Sequence, residues 1–476
     1  MEASDASEGA RAREPDAARP FGDGVPKRPA WAASEVIVRR RWTSVRRPLR
    51  IAFYHLEVAP PEVEDEVDAP VVERGERRGR GRVDGGAAAA AVRRRGRAAA
   101  RRRAGRAAAI LPRTWPDFMA KFGGDGWPSM RHDGALPEGT FGYGASDRTA
   151  RAPKAPRVVR LAGRRCDAML MRGGDDFRPV TRACWDAAAR VDDLDRCGVD
   201  HQIISATPIL FQWAREPAVA ADVARFMNDA ALELCAEPAA RGRLSALCQV
   251  PLQDVPTACR VLEEALAAGH VGVQIGNHVG DRDLGKPELV DFLAHCAALG
   301  AAVLVHPWDV CNPDGRLDDF MMQWTVGMPL ETHLSITSLV LSGAFDVLPR
   351  SLKLCFAHGG GAFPYLLGRL DNAYEQRSVA RGNPERKPSE YVDRFSVDSA
   401  VFDARALDLL VKTMGADRVM LGSDYPFPLG EQEIGALVRA APFSEPDRAK
   451  IAGGNAAAFF GLASEGARAQ EEPLAA

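Results

Sequence analysis

The chain has 476 residues, 46% of them hydrophobic, and a formal net charge of −2. That content suits one large core, a β/α barrel of roughly 250 to 350 residues with added segments, better than several small domains. No apolar stretch approaches the roughly 18 residues of a bilayer span, and Glu2, Asp5 and Glu8 open the chain where a leader would be basic and apolar, so a cytoplasmic protein is expected, neither secreted nor membrane-bound.

In chain order, residues 1–106 come first and form a different polymer from the rest. They carry 24 Lys and Arg against 16 Asp and Glu, leaving 38 against 48 for the remainder. Pro, Gly, Ala and Arg occur there in biased runs that end in Arg93-Arg94-Arg95-Gly96-Arg97 and Arg101-Arg102-Arg103, which predicts a disordered extension. Arginine runs without interleaved aromatics read as a solvated tail, so neither nucleic acid nor membrane is expected as a partner. One strand is predicted inside the extension, over residues 49–56. Globular character begins near Ile110, with Leu111-Pro112 and Trp115-Pro116-Asp117, and a Gly/Ala/Arg/Pro-rich stretch at about 134–165 reads as a surface insertion. The barrel domain is thus expected over 107–465, with a tail at 466–476.

After Phe177 the rhythm is strand then helix. Strands are predicted at 200–205, 244–250 and 272–275, and helices at 219–236, 255–268 and 287–299, with a last helix near 449–460. Three further apolar runs, 301–305, 352–357 and 418–422, have the length and character of buried parallel strands. Such βα units in this number close most simply as a (β/α)8 TIM-type barrel, an α/β fold. Nine cysteines without a CxxC pair are scattered through the chain, several inside apolar runs, and read as reduced, mostly buried thiols.

Each of the three late runs ends in a polar side chain, where a barrel places its chemistry. His306 precedes Pro307, which ends the strand; its imidazole suits either metal ligation or a structural role. His358 is followed by Gly359, Gly360 and Gly361, which let backbone and substrate approach closely, so it suits a general acid or base, against a glycine turn with an incidental histidine. A carboxylate at Asp424 must bind a cation or accept hydrogen bonds, and metal ligation and capping both satisfy it. Arg178 and Arg369 are candidates for gripping carboxylates, although lone arginines are usually surface ion-pair partners.

From Phe177 to about Gly461 the chain resembles the 2-amino-3-carboxymuconate-6-semialdehyde decarboxylase family, within the amidohydrolase-related metal-dependent decarboxylases. The resemblance is carried by Phe177-Arg178-Pro179-Val180, Val250-Pro251-Leu252-Gln253, Gly272-Val273-Gln274-Ile275-Gly276-Asn277-His278, Val305-His306-Pro307-Trp308-Asp309, Ala357-His358-Gly359-Gly360-Gly361-Ala362-Phe363-Pro364 and Gly422-Ser423-Asp424-Tyr425-Pro426-Phe427-Pro428-Leu429-Gly430-Glu431. It implies an amidohydrolase-type barrel, one zinc ion per protomer, a homodimer, and non-oxidative loss of CO2 from a ring-opened muconate semialdehyde in tryptophan/kynurenine or nitroaromatic catabolism. Position by position it implies His306 and Asp424 as zinc ligands, His358 as the residue that activates water and relays its proton, Arg178 as a substrate-carboxylate binder, and Arg369 as an arginine lent to the neighbouring subunit. A γ-resorcylate-type decarboxylase and an amidohydrolase-type hydrolase are the alternative activities.

One departure stands out. The family opens its barrel with His-x-His directly before an Ile-Leu-Pro-like segment, and those histidines complete the zinc site. Here Ala107 and Ala109 stand at those positions, and no other His-x-His exists in the chain. Two ligands fall short of the three or more usual for catalytic zinc. Three readings follow: an N-terminal segment that is not the true one, an inactive homologue that binds substrate or an active subunit, or a substitute histidine such as His55 or His132. The strand at 49–56 is expected to fill the place of the missing first strand.

Overall fold

In the computed structural model of the protein, the described residues are 51–56, 128–131, 168–172, 175–312, 314–427 and 429–462. The extension apart from Ile51–Leu56, His132, the segment 107–118, the insertion at 134–165 and the tail lie outside them. The strands, in chain order, are β1 Ile51–Leu56, β2 Pro128–Arg131, β3 Ala168–Arg172, β4 Asp175–Val180, β5 His201–Ala206, β6 Leu244–Cys248 and β7 Gly272–Gly276. There follow β8 His278–Val279, β9 Arg282–Asp283, β10 Ala302–His306, β11 Lys353–Phe356, β12 Ser396–Asp398 and β13 Val419–Met420.

Eight of them form one sheet in the order β1-β5-β6-β7-β10-β11-β12-β13, each neighbouring pair parallel. Spatial order follows chain order, with helices in the connections, as the (β/α)8 barrel of the amidohydrolase superfamily requires. The strand expected at 49–56 is present, in its described part, as the first strand of the sheet: Ile51 to Leu56 run in register with His201 to Ala206 of β5. The helix Asn455–Phe460 contacts both β1 and β13, the two strands at the ends of that order. β2, β3 and β4 make a separate antiparallel sheet, and β8 pairs with β9 as a small hairpin after β7.

Residues alternate between two faces of the barrel sheet, as a pleated strand demands. Val273, Ile275, Val303, Val305 and Phe356 join the large cluster that packs under the helices. Ile203, Leu247, Ala302, Leu304, Cys355 and Met420 form a second cluster inside the barrel, to which the last helix adds Ala456 and Phe460. His306 falls on the inner face because it continues the Ala302, Leu304 alternation, and so does its register partner Gly276. Helix starts are fixed locally: Asp254 accepts from the Thr257 amide at 3.1 Å, and proline follows in the first turn. The described cysteines are free, and Cys184, Cys197, Cys248, Cys296 and Cys355 are buried. No helix among the described residues is long and apolar enough to cross a membrane.

Candidate metal centre

His306 is the last residue of β10, and Pro307 stops the strand directly behind it. Its Nδ1 lies 2.9 Å from the Pro307 carbonyl. A carbonyl only accepts, so Nδ1 carries the proton and Nε2 keeps the lone pair that a cation needs. The loop beyond is tied down from two sides. Asn277 accepts from the Trp308 amide at 3.0 Å and donates to Glu331 at 3.2 Å, while Glu331 accepts from the Cys311 amide at 2.8 Å. Asn277 and Glu331 are both buried, and they link the turns after β7 and β10 to the helix Met328–Leu341.

His358 stands two residues past the end of β11, in a left-handed turn at φ +56°. Asp424 stands four residues past β13, also left-handed at φ +54°. Such backbone costs about 1 to 2 kcal/mol outside glycine, so the surroundings must hold it. They do so through Asp398, the last residue of β12, and Ser399 directly after it. Asp398 accepts from the Gly359 and Ala400 amides, both at 3.0 Å. The Ser399 hydroxyl exchanges bonds with the backbone of Gly422, at 3.2 and 3.3 Å. Gly422 has to be glycine, since a Cβ there would sit 2.6 Å from the Asp398 Cβ. Asp398, Glu331 and Asn277 carry no sequence-level signal of this role: they lie at the end of a three-residue strand, on a helix and in a short turn, none of which shows chemistry by itself.

The three polar strand-end residues meet. One nitrogen from each of His306 and His358 and one carboxylate oxygen of Asp424 lie within 4.8 Å of one another. The two imidazole rings approach edge to face at 4.8 Å, and His358 Nε2 is 4.0 Å from Asp424 Oδ1. Burial opposes a charge on His358, but the neighbouring Asp424 carboxylate, with Asp398 behind it, outweighs burial and holds the imidazole above its ordinary range. Burial pushes the Asp398 carboxyl up, with His358 and the amides it accepts from working against that. Two imidazoles and a carboxylate at the carboxyl ends of barrel strands are a donor set that fits a divalent metal ion.

The two candidate arginines lie on other elements than the three cluster residues. Arg178 lies on β4, opposite Leu170 in the small antiparallel sheet. Arg369 is exposed on the helix Phe363–Gln376. His55, in β1, is in register with Ser205.

A parallel eight-stranded barrel with a two-histidine, one-carboxylate cluster at its strand ends defines the class of metal-dependent barrel enzymes. The amidohydrolase family model matches residues 149–462. The chain is 37% identical over 357 residues to the 2-amino-3-carboxymuconate-6-semialdehyde decarboxylase of Dictyostelium discoideum, covering 74% of this chain and 90% of that protein. It is 27% identical to the γ-resorcylate decarboxylase of Rhizobium radiobacter, over 61% of this chain and 91% of that one. Among solved structures, the 5-carboxyvanillate decarboxylase of Novosphingobium aromaticivorans, complexed with manganese and a nitrobenzoic acid, is 25% identical with a TM-score of 0.53, covering 59% of this chain and 82% of its own. The chain belongs to the amidohydrolase family and, within it, to the 2-amino-3-carboxymuconate-6-semialdehyde decarboxylase family. It is a carboxy-lyase by that membership.

Proposed function

We propose that the protein removes CO2 from 2-amino-3-carboxymuconate 6-semialdehyde, without oxidation, to give 2-aminomuconate semialdehyde, and that its metal is zinc. The convergence of His306, His358 and Asp424 carries this reading, together with the relative of that activity at 37% identity. In it, His306 through Nε2 and Asp424 through its carboxylate hold the ion. When bound, such an ion supplies concentrated positive charge and acidifies water. His358 moves the proton: Asp424 beside it stabilises its charged form, so it can take a proton from water and pass it to the carbon that loses CO2, and the hydroxide left behind is reprotonated by solvent or takes up the CO2 as bicarbonate. The electrons of the broken C–C bond stay on that carbon until the proton arrives. Arg178 and Arg369 hold substrate carboxylates so that the scissile bond stands across the conjugated system.

Arg369 does this for a partner subunit. Leu330 and Leu334 are one turn apart and exposed on Met328–Leu341, and Tyr365 is 81% exposed on the helix that contacts it. Arg369 follows Tyr365 by one further turn, so an apolar patch that a second copy would cover leads directly to a cation. The protein is read as a homodimer on that face, which binds neither nucleic acid nor membrane.

The test is CO2 release from freshly generated 2-amino-3-carboxymuconate 6-semialdehyde and, in parallel, from γ-resorcylate. Turnover of the muconate that His358→Ala abolishes supports the reading. Turnover of γ-resorcylate alone moves the substrate to the aromatic-acid branch. No turnover of either, with a folded protein, gives the inactive-homologue reading that the absent His-x-His favours.

A further inference from the structure

Beyond the metal cluster, an aromatic side chain enters the mouth of the barrel. After β5 the chain makes the turn Pro208–Leu210, buries Phe211 and reaches Trp213. Gln253, in the loop after β6, donates to the Arg215 carbonyl at 3.0 Å and pins this segment. The Trp213 indole is then fixed on two sides: Phe211 stacks on it at 5.2 Å and 18°, and the His278 ring lies 6.0 Å away at 60°.

Its tip fills a place left open by a missing side chain. A Cβ on Gly276 would lie 2.0 Å from Trp213 Cη2. Gly276 is the register partner of His306 and shares the inner face of the barrel with it. The indole edge therefore stands inside the barrel mouth, one strand away from a metal ligand, and Trp213 is only partly buried there.

We infer that Trp213 is a specificity-determining residue: its indole is the platform on which a planar, conjugated dicarboxylate lies while one carboxylate points to the His306 cluster. The inference rests on the decarboxylase reading for the position of that carboxylate. An indole face rewards a flat π system with stacking beyond simple area burial, and a puckered saturated ring of equal charge gains little from it.

The experiment is calorimetric titration of the full-length, zinc-equilibrated protein with phthalate and with cis-cyclohexane-1,2-dicarboxylate, which match in charge and differ in planarity. The parent is expected to bind phthalate at least about fivefold more tightly; Trp213→Leu weakens phthalate by about tenfold and the saturated acid by less than about twofold, and Trp213→Phe retains most of the preference. Equal affinity of the parent for the two acids overturns the inference without any variant having to fold. So does an equal loss for both acids in Trp213→Leu. A parent that binds neither acid overturns the inference, while CO2 release from the muconate, measured on the same preparation, decides the decarboxylase reading separately.

Discussion

His358 and Asp424 show how a site is held at the scale of single residues. Both occupy left-handed backbone, and both are anchored through Asp398 and Ser399. On the proposed roles, His358→Ala removes the proton carrier and leaves the ligands, so the turnover rate should fall by about 10² to 10⁴ with metal content unchanged, read by parallel kinetics and elemental analysis. Gly422→Ala drives a methyl group into Asp398, and a urea titration should show a loss of about 1 to 3 kcal/mol, with weakened metal binding as Asp424 shifts. His306, His358 and Asp424 were legible in the sequence because each ends an apolar run, the one pattern that marks a strand end without an alignment. Asp398 was not, because β12 has three residues and shows no periodicity. Trp213 was not either: nothing local to its loop reveals that Gly276, 63 positions on, leaves it room.

At the scale of elements, strong periodicity and clear caps were readable to the residue. The helices Val255–Ala268 and Pro287–Leu299 have the bounds expected from the sequence, and the structure shows Asp254 capping the first and Gly269 and Gly300 closing the two. The strand expected over 418–422 shrinks to Val419–Met420, since the chain turns early to present Gly422 to Asp398 and Ser399. Asp254→Ala should cost about 1 kcal/mol by loss of its cap, measured as a shift in the urea midpoint. His270, buried between Val255–Ala268 and β7, makes stability depend on pH. Burial pushes its pKa down to about 4, against the bond from Nδ1 to the Ala265 carbonyl. The unfolded chain, with an ordinary pKa near 6.5, binds the proton first, so this contribution is intact above about pH 6.5 and is lost as pH falls toward 4. The total is on the order of 3 kcal/mol, and His270→Gln should flatten the dependence of the urea midpoint between pH 7 and 4.5.

For the whole molecule, the barrel draws its first strand from a region whose composition predicts disorder. A parallel sheet tolerates no bare edge beside β5, and Ile51–Leu56 has the apolar, branched character to cover it. The βα rhythm made the fold class legible. The joining of β1 to β5 across a long Arg-rich stretch was legible only as a consequence of the strand count. Deletion of residues 1–57 should expose the β5 edge, lower the melting temperature by several degrees and promote aggregation during refolding, followed by light scattering. Leu334→Asp places a charge on the exposed face of Met328–Leu341; on the proposed dimer it should give monomers in sedimentation, with turnover lost as the proposed reach of Arg369 into a neighbour is broken.

In the proposed function, His306, His358 and Asp424 serve one divalent ion although the His-x-His pair is absent. Zinc content per protomer, by elemental analysis after gel filtration of the full chain in metal-free buffer, tests it most directly. About one zinc per protomer is expected in the parent and far less in Asp424→Ala. A folded parent with no zinc, or an Asp424→Ala variant that keeps it, would rule out this metal site.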